Sequence, residues 1–199
     1  MPSDPPSLFD TEEFIVAVLD TETTGMSKQD EIIEIAVKSM AVDPETGRVL
    51  RWVDEYTGLQ EPTCPVTAGA AAVHGLMADD LMGKSFDVGR LNAIIWPAKF
   101  IIAHNAPFDR GFVERQLPSL RHTMWRCSIR DVDWKAAWEG SKSLQTLLEA
   151  HGILARAAHR AMDDVQCLVE LLCKPAPDGD PYLKQIVHKG RVKLEKQAT

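Results

Sequence analysis

Phe14-Ile15-Val16-Ala17-Val18-Leu19-Asp20-Thr21-Glu22-Thr23-Thr24-Gly25 is an apolar run that closes on two carboxylates two residues apart. Six consecutive apolar residues, Phe14–Leu19, read as a central β-strand covered on both faces. Side chains of a strand alternate, so residues i and i+2 point the same way. Asp20 and Glu22 therefore project from one side of a buried strand. Two like charges about 5 Å apart at an effective dielectric of about 20 repel by roughly 3 kcal/mol. A divalent cation removes that cost, so the pattern directs attention to a metal and to further carboxylates elsewhere.

Working outward, Thr23–Asp30 reads as a loop, Ile32–Val42 as a second strand, and Asp43–Gly47 as a turn leading to a third strand over about Val49–Tyr56. From Val66 the pattern turns helical. The spacing predicts a helix to Val73 that stops at His74-Gly75, another over Asp87–Ile95, and a short strand over Phe100–Ala103. Asn105 is placed to cap a helix over 106–117, and Thr123–Ser128 reads as an edge strand. Helices follow over about 131–138, 143–151 and 160–173, and Pro175–Pro181 breaks the pattern before a short helix and a basic tail. A strand meander followed by alternating strands and helices predicts an α/β domain, one mixed central sheet with helices packed on it. The expected organisation is a disordered segment over residues 1–12, rich in Pro, Ser and Asp, a single domain over 13–174, and the C-terminal appendage over 175–199.

The chain has 199 residues and a net charge of −7, which argues against broad electrostatic binding of nucleic acid. The charge is uneven, however. Residues 1–35 carry nine acids and one base, whereas 121–130 carry Arg121, Arg126 and Arg130 with no acid, and Lys184–Lys196 is mostly basic. An acidic centre flanked by basic patches is compatible with a phosphate polymer once cations neutralise the centre; a solvated charge pattern accounts for the same distribution. No apolar run approaches the roughly 20 residues that span a bilayer, and the N-terminus lacks the pattern of a secretory signal. Cys64, Cys127, Cys167 and Cys173 show no CxxC spacing. They read as reduced thiols, in keeping with a cytosolic protein that contacts no membrane.

Periodicity finds more inward acids. On the helix at 106–117, Asp109 shares a face with Phe112, Val113 and Gln116, away from Arg110 and Glu114. On the helix at 160–173, Asp164 shares a face with Ala161, Val165, Leu168 and Leu172, while Asp163 joins Gln166 and Glu170 on the polar side. Taken singly, each acid also fits a structural role. Asp109 suits a helix dipole, Asp164 a backbone amide, and Asp20 and Glu22 a surface turn. Together, four inward acids without an obvious Arg or Lys partner in the sequence are most simply explained by a shared site for two Mg²⁺ or Mn²⁺ ions, which prefer oxygen ligands.

These residues carry a family resemblance. Asp20-Thr21-Glu22-Thr23-Thr24-Gly25 with Glu31-Ile32-Ile33-Glu34-Ile35, then His104-Asn105-Ala106-Pro107-Phe108-Asp109, then His159-Arg160-Ala161-Met162-Asp163-Asp164 resemble, in order, the three motifs of the DnaQ-like 3′–5′ exonucleases. The branch resembled has a histidine five residues before its last aspartate, the DEDDh type, and the motifs look most like those of the proofreading epsilon class. Val73-His74-Gly75-Leu76 is similar to the family's substrate-contact segment. Leu76 stands where Ile is commoner and Val165 where Ala is common. The resemblance spans roughly residues 14–173. It implies a ribonuclease H-like fold and two-metal phosphodiester hydrolysis at single-stranded 3′ ends, with release of nucleoside 5′-monophosphates. By the same resemblance, Asp20, Glu22, Asp109 and Asp164 are metal ligands and His159 is the general base. Thr23, Gly25, Val73, His74, Asn105 and Phe108 contact the terminal nucleotide, and His104 holds the start of its helix. Core packing is the competing reading of Val73 and Phe108. DNA is the expected substrate, with a polymerase or repair protein as a candidate partner. The alternatives are an RNA-processing exonuclease of the ribonuclease T or oligoribonuclease kind and, in another class, a non-catalytic module that binds a nucleic-acid end or a polymerase. Of the five tryptophans, Trp52, Trp96, Trp125, Trp134 and Trp138, most read as core or rim residues rather than stacking platforms.

Overall fold

The computed structural model describes residues 13–154 and 159–198; the expectation of disorder over residues 1–12 falls outside them. Five strands form one mixed sheet in the order β3-β2-β1-β4-β5. They are β1 (Ile15–Thr23), β2 (Ile32–Val42), β3 (Val49–Leu59), β4 (Ile101–Ala103) and β5 (Trp125–Cys127). The first three form the expected antiparallel meander, while β4 pairs parallel to β1 and β5 parallel to β4. The helices are α1 (Ala68–His74), α2 (Ala78–Leu81), α3 (Val88–Ile95), α4 (Ala106–Gln116), α5 (Ser128–Asp131), α6 (Leu144–Ala150), α7 (Ala161–Cys173) and α8 (Tyr182–Ala198). The expected α/β architecture is therefore the one observed.

Alternation along β1 divides the core. Val16 and Val18 belong to one apolar layer with Ala36, Met40, Phe100 and the buried faces of α6, α7 and α8. Ala17 and Leu19 belong to the other, with Ile35, Val37, Ile101 and the buried faces of α3 and α4. Every position from Val16 to Leu19 is fully buried, which explains the absence of a polar face in the run. The even row that begins with Val16 and Val18 continues into Asp20 and Glu22, so both acids face the side covered by α7.

Several elements differ from the sequence expectation. β1 runs one residue into the expected loop: it pairs with β2 through Thr23, with a register shift between Glu22 and Thr23. The segment expected as a helix over 131–138 is the short α5 followed by a 3₁₀ turn over Trp134–Ala136. Trp134 is the cause. Its side chain is fully buried and its indole N–H donates to the Ser128 carbonyl at 2.8 Å, which draws the chain inward where a helix would carry it on. The C-terminal segment is not a short helix with a loose basic tail. α8 runs for 17 residues and buries Tyr182, Leu183, Ile186 and Val187. Gly190 lets it lie close to the sheet, because a Cβ there would meet the Phe100 ring at 2.3 Å. Among the tryptophans, Trp125 and Trp134 are buried and Trp138 is partly covered, whereas Trp52 and Trp96 are exposed at the rim.

Candidate active site

The first motif is held rigidly because β1 is hydrogen-bonded on both sides. Glu22 lies opposite Glu34 of β2, and Asp20 lies opposite Ala36. Thr21 points to the other face, where its hydroxyl donates to Asp109 Oδ1 at 2.8 Å. That bond ties α4 to the end of the central strand and orients the Asp109 carboxylate. Asp109 is buried, as its place on the apolar face of α4 predicts. The role of Thr21 was not legible in the sequence; the signal was a hydroxyl lying between two acids on the opposite row of a strand.

The third motif is carried by the start of α7. Arg160, just before the helix, donates to Glu34 from Nε at 3.1 Å and from a terminal nitrogen at 2.8 Å, and the Ala161 amide donates to the same carboxylate at 3.1 Å. The Asp164 amide donates to the Arg160 carbonyl at 3.0 Å, closing the first turn. Glu34 thus fixes where α7 begins and so where Asp164 lies. The charge of Arg160 opposes the rise in the Glu22 pKa, but its hydrogen bonds are spent on Glu34. The signal for this pairing was available: Glu34 is a carboxylate inside a core strand, and a buried carboxylate requires a donor.

Glu22, His159 and Asp164 converge. One ligand-capable atom from each lies within 4.8 Å of the others, a group suited to a metal ion. His159 has φ 65°, a left-handed conformation uncommon for a non-glycine residue. Asp163 and Asp164 are both partly exposed, and of the two only Asp164 enters this group.

Electrostatics join the acids further. Burial pushes Asp20 well above the usual carboxylate range, and the charges of Asp109, Glu22, Asp164 and Glu34 add to it. Glu22 is pushed up to about 8, first by burial and then by Asp164, Glu34 and Asp109, with Arg160 opposing. Asp109 rises to about 7 through burial, against the hydrogen bond from Thr21. Asp164 is raised by burial and lowered by the neighbouring His159. Burial drives all four carboxylates toward protonation, a drive that hard divalent cations bound to their oxygens would reverse; of the four, Glu22 and Asp164 belong to the converging group with His159. The donor set fits the expected metals.

Beside these acids lies a cleft of about 620 Å³. Thr23, Gly25, Val73, His74 and Phe108 line it together with Glu22, which brings five of the six expected contact residues to one place. Asn105 is not part of the lining. It is exposed, holds the N-cap position of α4 with φ 63° and ψ 44°, and makes no side-chain capping bond, contrary to the expected cap. Asn tolerates this left-handed turn better than most residues. His74 is buried: its Nδ1 accepts from the Leu76 amide at 3.0 Å, leaving Nε2–H to donate to the Thr23 carbonyl at 3.2 Å. That pair fixes the wall of the cleft. Met26, 87% exposed, and Val73, 50% exposed, give the wall an apolar lip that the sequence reading recognised only at Val73. His104 bridges Ser128 Oγ at 2.7 Å and the Lys142 carbonyl at 2.8 Å, anchoring the turn before α4 as expected.

The RNase_T family model, described as an exonuclease, matches residues 17–172. DNA polymerase III PolC-type from Thermotoga petrophila is 28% identical over 183 residues, covering 84% of this chain but 12% of that protein. DNA polymerase III subunit epsilon from Pasteurella multocida is 29% identical over 170 residues, covering 77% of this chain and 65% of its own length. Among solved structures, E. coli exonuclease I bound to a dT13 oligonucleotide aligns with a TM-score of 0.63 at 18% identity, over 92% of this chain and 43% of that one. The chain thus spans a small part of its PolC-type relatives and somewhat under two thirds of the epsilon subunit.

Proposed function

The chain belongs to the exonuclease family, and from that premise we propose that it is a metal-dependent 3′–5′ exonuclease acting on single-stranded 3′ ends, with DNA preferred. The observation that carries this reading is the convergence of Glu22, Asp164 and His159 at the end of the strand that also bears Asp20, with Asp109 held beside it through Thr21. Asp20, Glu22, Asp109 and Asp164 are the proposed ligands of two Mg²⁺ or Mn²⁺ ions. When bound, such ions neutralise the phosphate and lower the pKa of an attacking water. His159 is the proposed general base. It accepts the proton of the water whose oxygen attacks phosphorus. The bond from phosphorus to the 3′-oxygen breaks, that oxygen takes up a proton, and a nucleoside 5′-monophosphate leaves a shortened strand with a free 3′-hydroxyl. Phe108, Val73 and Met26 give the terminal nucleoside apolar walls; stacking and apolar contact are tolerant of base identity, which suits removal of any nucleotide. Thr23 and Gly25 bring backbone close to it, and Asn105, outside the lining at the start of α4, is the proposed hydrogen-bond donor to it.

The preference for DNA, and association with a polymerase, draw support from relatives named as DNA polymerase III proteins and from a structural neighbour holding a DNA oligonucleotide. A cytosolic place of action belongs to the same reading; no helix of the described residues is long and apolar enough to cross a membrane. The test is digestion of 5′-labelled single-stranded DNA and RNA of matched sequence with Mg²⁺, Mn²⁺ or chelator. A metal-dependent ladder that runs faster on DNA is expected. A faster ladder on RNA moves the protein to RNA processing, and no ladder from folded, metal-loaded protein leaves the binding-module reading.

A further inference from the structure

The two basic segments seen in the sequence meet in the fold, and Arg126 is the junction. A hollow of about 490 Å³ lies between α4 and the edge strand β5, with Arg110, Arg126 and Arg130 in its wall. On the far side of Arg126 a second groove, about 500 Å³, continues along α8 and is lined by His188, Lys189, Lys193 and Lys196. Arg126 lines both.

The hollow starts beside the candidate active site. Its α4 wall is Ala106, Pro107, Arg110, Gly111 and Glu114, on the side of the helix turned away from Asp109 and Phe108, so it adjoins the cleft only at the start of the helix, where Ala106 and Pro107 precede Phe108. It has two acids, each already engaged: Glu114 with Arg110 at 2.7 Å and Asp131 with Arg126 at 2.8 Å. Among the described residues, no carboxylate lines the groove along α8. In a chain of net charge −7, this is a concentrated positive stripe.

Trp125 Nε1 and Arg126 Nε are buried donors without a hydrogen-bond partner, and their residues are adjacent in the wall of this hollow. Trp125 is only 7% exposed. Buried donors of this kind require an acceptor. Both atoms are closed to solvent and so to an anion in the hollow; with Arg110 and Arg126 ion-paired, the charge this wall offers a strand is Arg130.

We propose that this stripe is a phosphodiester-binding track, which holds the backbone of the same strand whose 3′ end enters the cleft, several nucleotides from the end. The proposal rests on the exonuclease reading and extends it from the terminal nucleotide to the rest of the strand. The α4 wall from Ala106 to Glu114 spans about 12 Å, and Lys189 to Lys196 on α8 about 10 Å. At about 3.4 Å per stacked nucleotide, the two together take roughly seven nucleotides beyond the cleft. A stacked strand of four does not extend over both.

The test compares 5′-fluorescein oligothymidylates of 4 and 20 nucleotides, with binding read by anisotropy in Ca²⁺. It uses the full chain, its Arg130→Glu and Lys193→Glu variants and the double variant, all changed at charges outside the proposed machinery. The wild type is expected to bind the 20-mer at least about tenfold more tightly than the 4-mer. The double variant should lose that advantage while keeping its affinity for the 4-mer. The slope of its log affinity for the 20-mer against log salt should flatten by about 0.7 for each phosphate it no longer neutralises. Equal affinity of the wild type for both lengths, or an unchanged length advantage in the double variant, overturns the track. Hydrolysis of thymidine 5′-monophosphate p-nitrophenyl ester with Mn²⁺ is the separate control. It should be the same in all variants, and its absence in the wild type counts against the exonuclease reading rather than against the track.

Discussion

The two flanks of the candidate site are built in opposite ways. Asp20 and Glu22 sit on the central strand, paired on both sides of the sheet or within a few residues of such pairing. Their positions follow from the backbone ladder itself. His159 and Asp164 sit where a helix begins, and that beginning is held by the bonds of one carboxylate, Glu34, with Arg160 and the Ala161 amide. Strand acids placed by the sheet are insensitive to side-chain changes nearby. Helix acids placed by a side-chain clamp are not. The arrangement joins a fixed half to a half whose position depends on a single ion pair, and substitutions should separate the two.

The largest effect tests which acid of the doublet belongs to the site. Asp164→Asn removes a proposed ligand and should lower turnover by about 10³-fold or more, since cation stabilisation of the reacting phosphate is worth several kcal/mol. Asp163→Asn should stay within about twofold of wild type. Comparable losses in the two, measured as kcat on a 5′-labelled strand, would mean that the convergence of Asp164 with Glu22 and His159 does not organise the chemistry. Next, His159→Ala should lower kcat by about 10²- to 10⁴-fold, the range for loss of a positioned base. Metal affinity measured by calorimetry should change far less. A variant with full turnover removes His159 from the mechanism.

A smaller effect isolates the clamp. Glu34→Gln keeps the shape but weakens the bonds to Arg160, and the start of α7 should loosen. As a positioning residue it should cost about 10- to 100-fold in metal affinity or activity, the range for partners that orient metal ligands. The readout that distinguishes positioning from general damage is rescue: raised Mn²⁺ should restore much of the kcat of Glu34→Gln but none of that of His159→Ala. If excess metal leaves the Glu34 variant unimproved while its melting point matches wild type, the clamp does not act through the metal site.

The same contrast explains what could be read in the sequence. Strand-borne features were legible because alternation is a strict rule: the shared side of Asp20 and Glu22 follows from period two, the central strand from its unbroken apolar run, and the mixed sheet from the order of the elements. Helical periodicity likewise separated Asp164 from Asp163 and turned Asp109 inward. Features that depend on long-range partners were not legible. Glu34 and Arg160 are 126 residues apart, and nothing local pairs them. Thr21 and Asp109 are 88 apart. α8 was read short because its apolar row, Tyr182, Leu183, Ile186 and Val187, ends at Gly190 and gives way to charge. Its docking is decided by how near Gly190 can come to Phe100, a property of the packed state. Trp134 overrode a helix pattern by the same kind of tertiary anchoring.

The smallest effect concerns stability rather than turnover, and it bears on both flanks at once. Without metal, Glu22 and Asp109 titrate near 8 and 7, above the unfolded values of about 4. A carboxylate with a raised folded pKa keeps its stabilising contribution below the unfolded pKa and loses it as pH rises through the folded one. His74 and His104 are lowered by burial and so act in the opposite sense, but only below about pH 6.5. The clean window is therefore about pH 7 to 9. Chelated protein should lose stability as pH rises from about 7 to 9, as Glu22 and Asp20, both held above the usual carboxylate range, ionise. Each kcal/mol lost lowers the melting point of a chain this size by about 2–4 °C. Mg²⁺ should do the reverse, because it binds the ionised carboxylates and competes with their protons; its stabilisation should grow across the same window. Melting curves at about pH 7, 8 and 9, with chelator and with Mg²⁺, measure both slopes. Parallel curves in the two conditions would show that the raised acids and the metal are not one site. Glu34→Gln narrows the question further. If the clamp only positions α7, the chelated slope should persist in that variant, since burial and strand geometry raise Glu22 and Asp109, while the gain from Mg²⁺ should shrink.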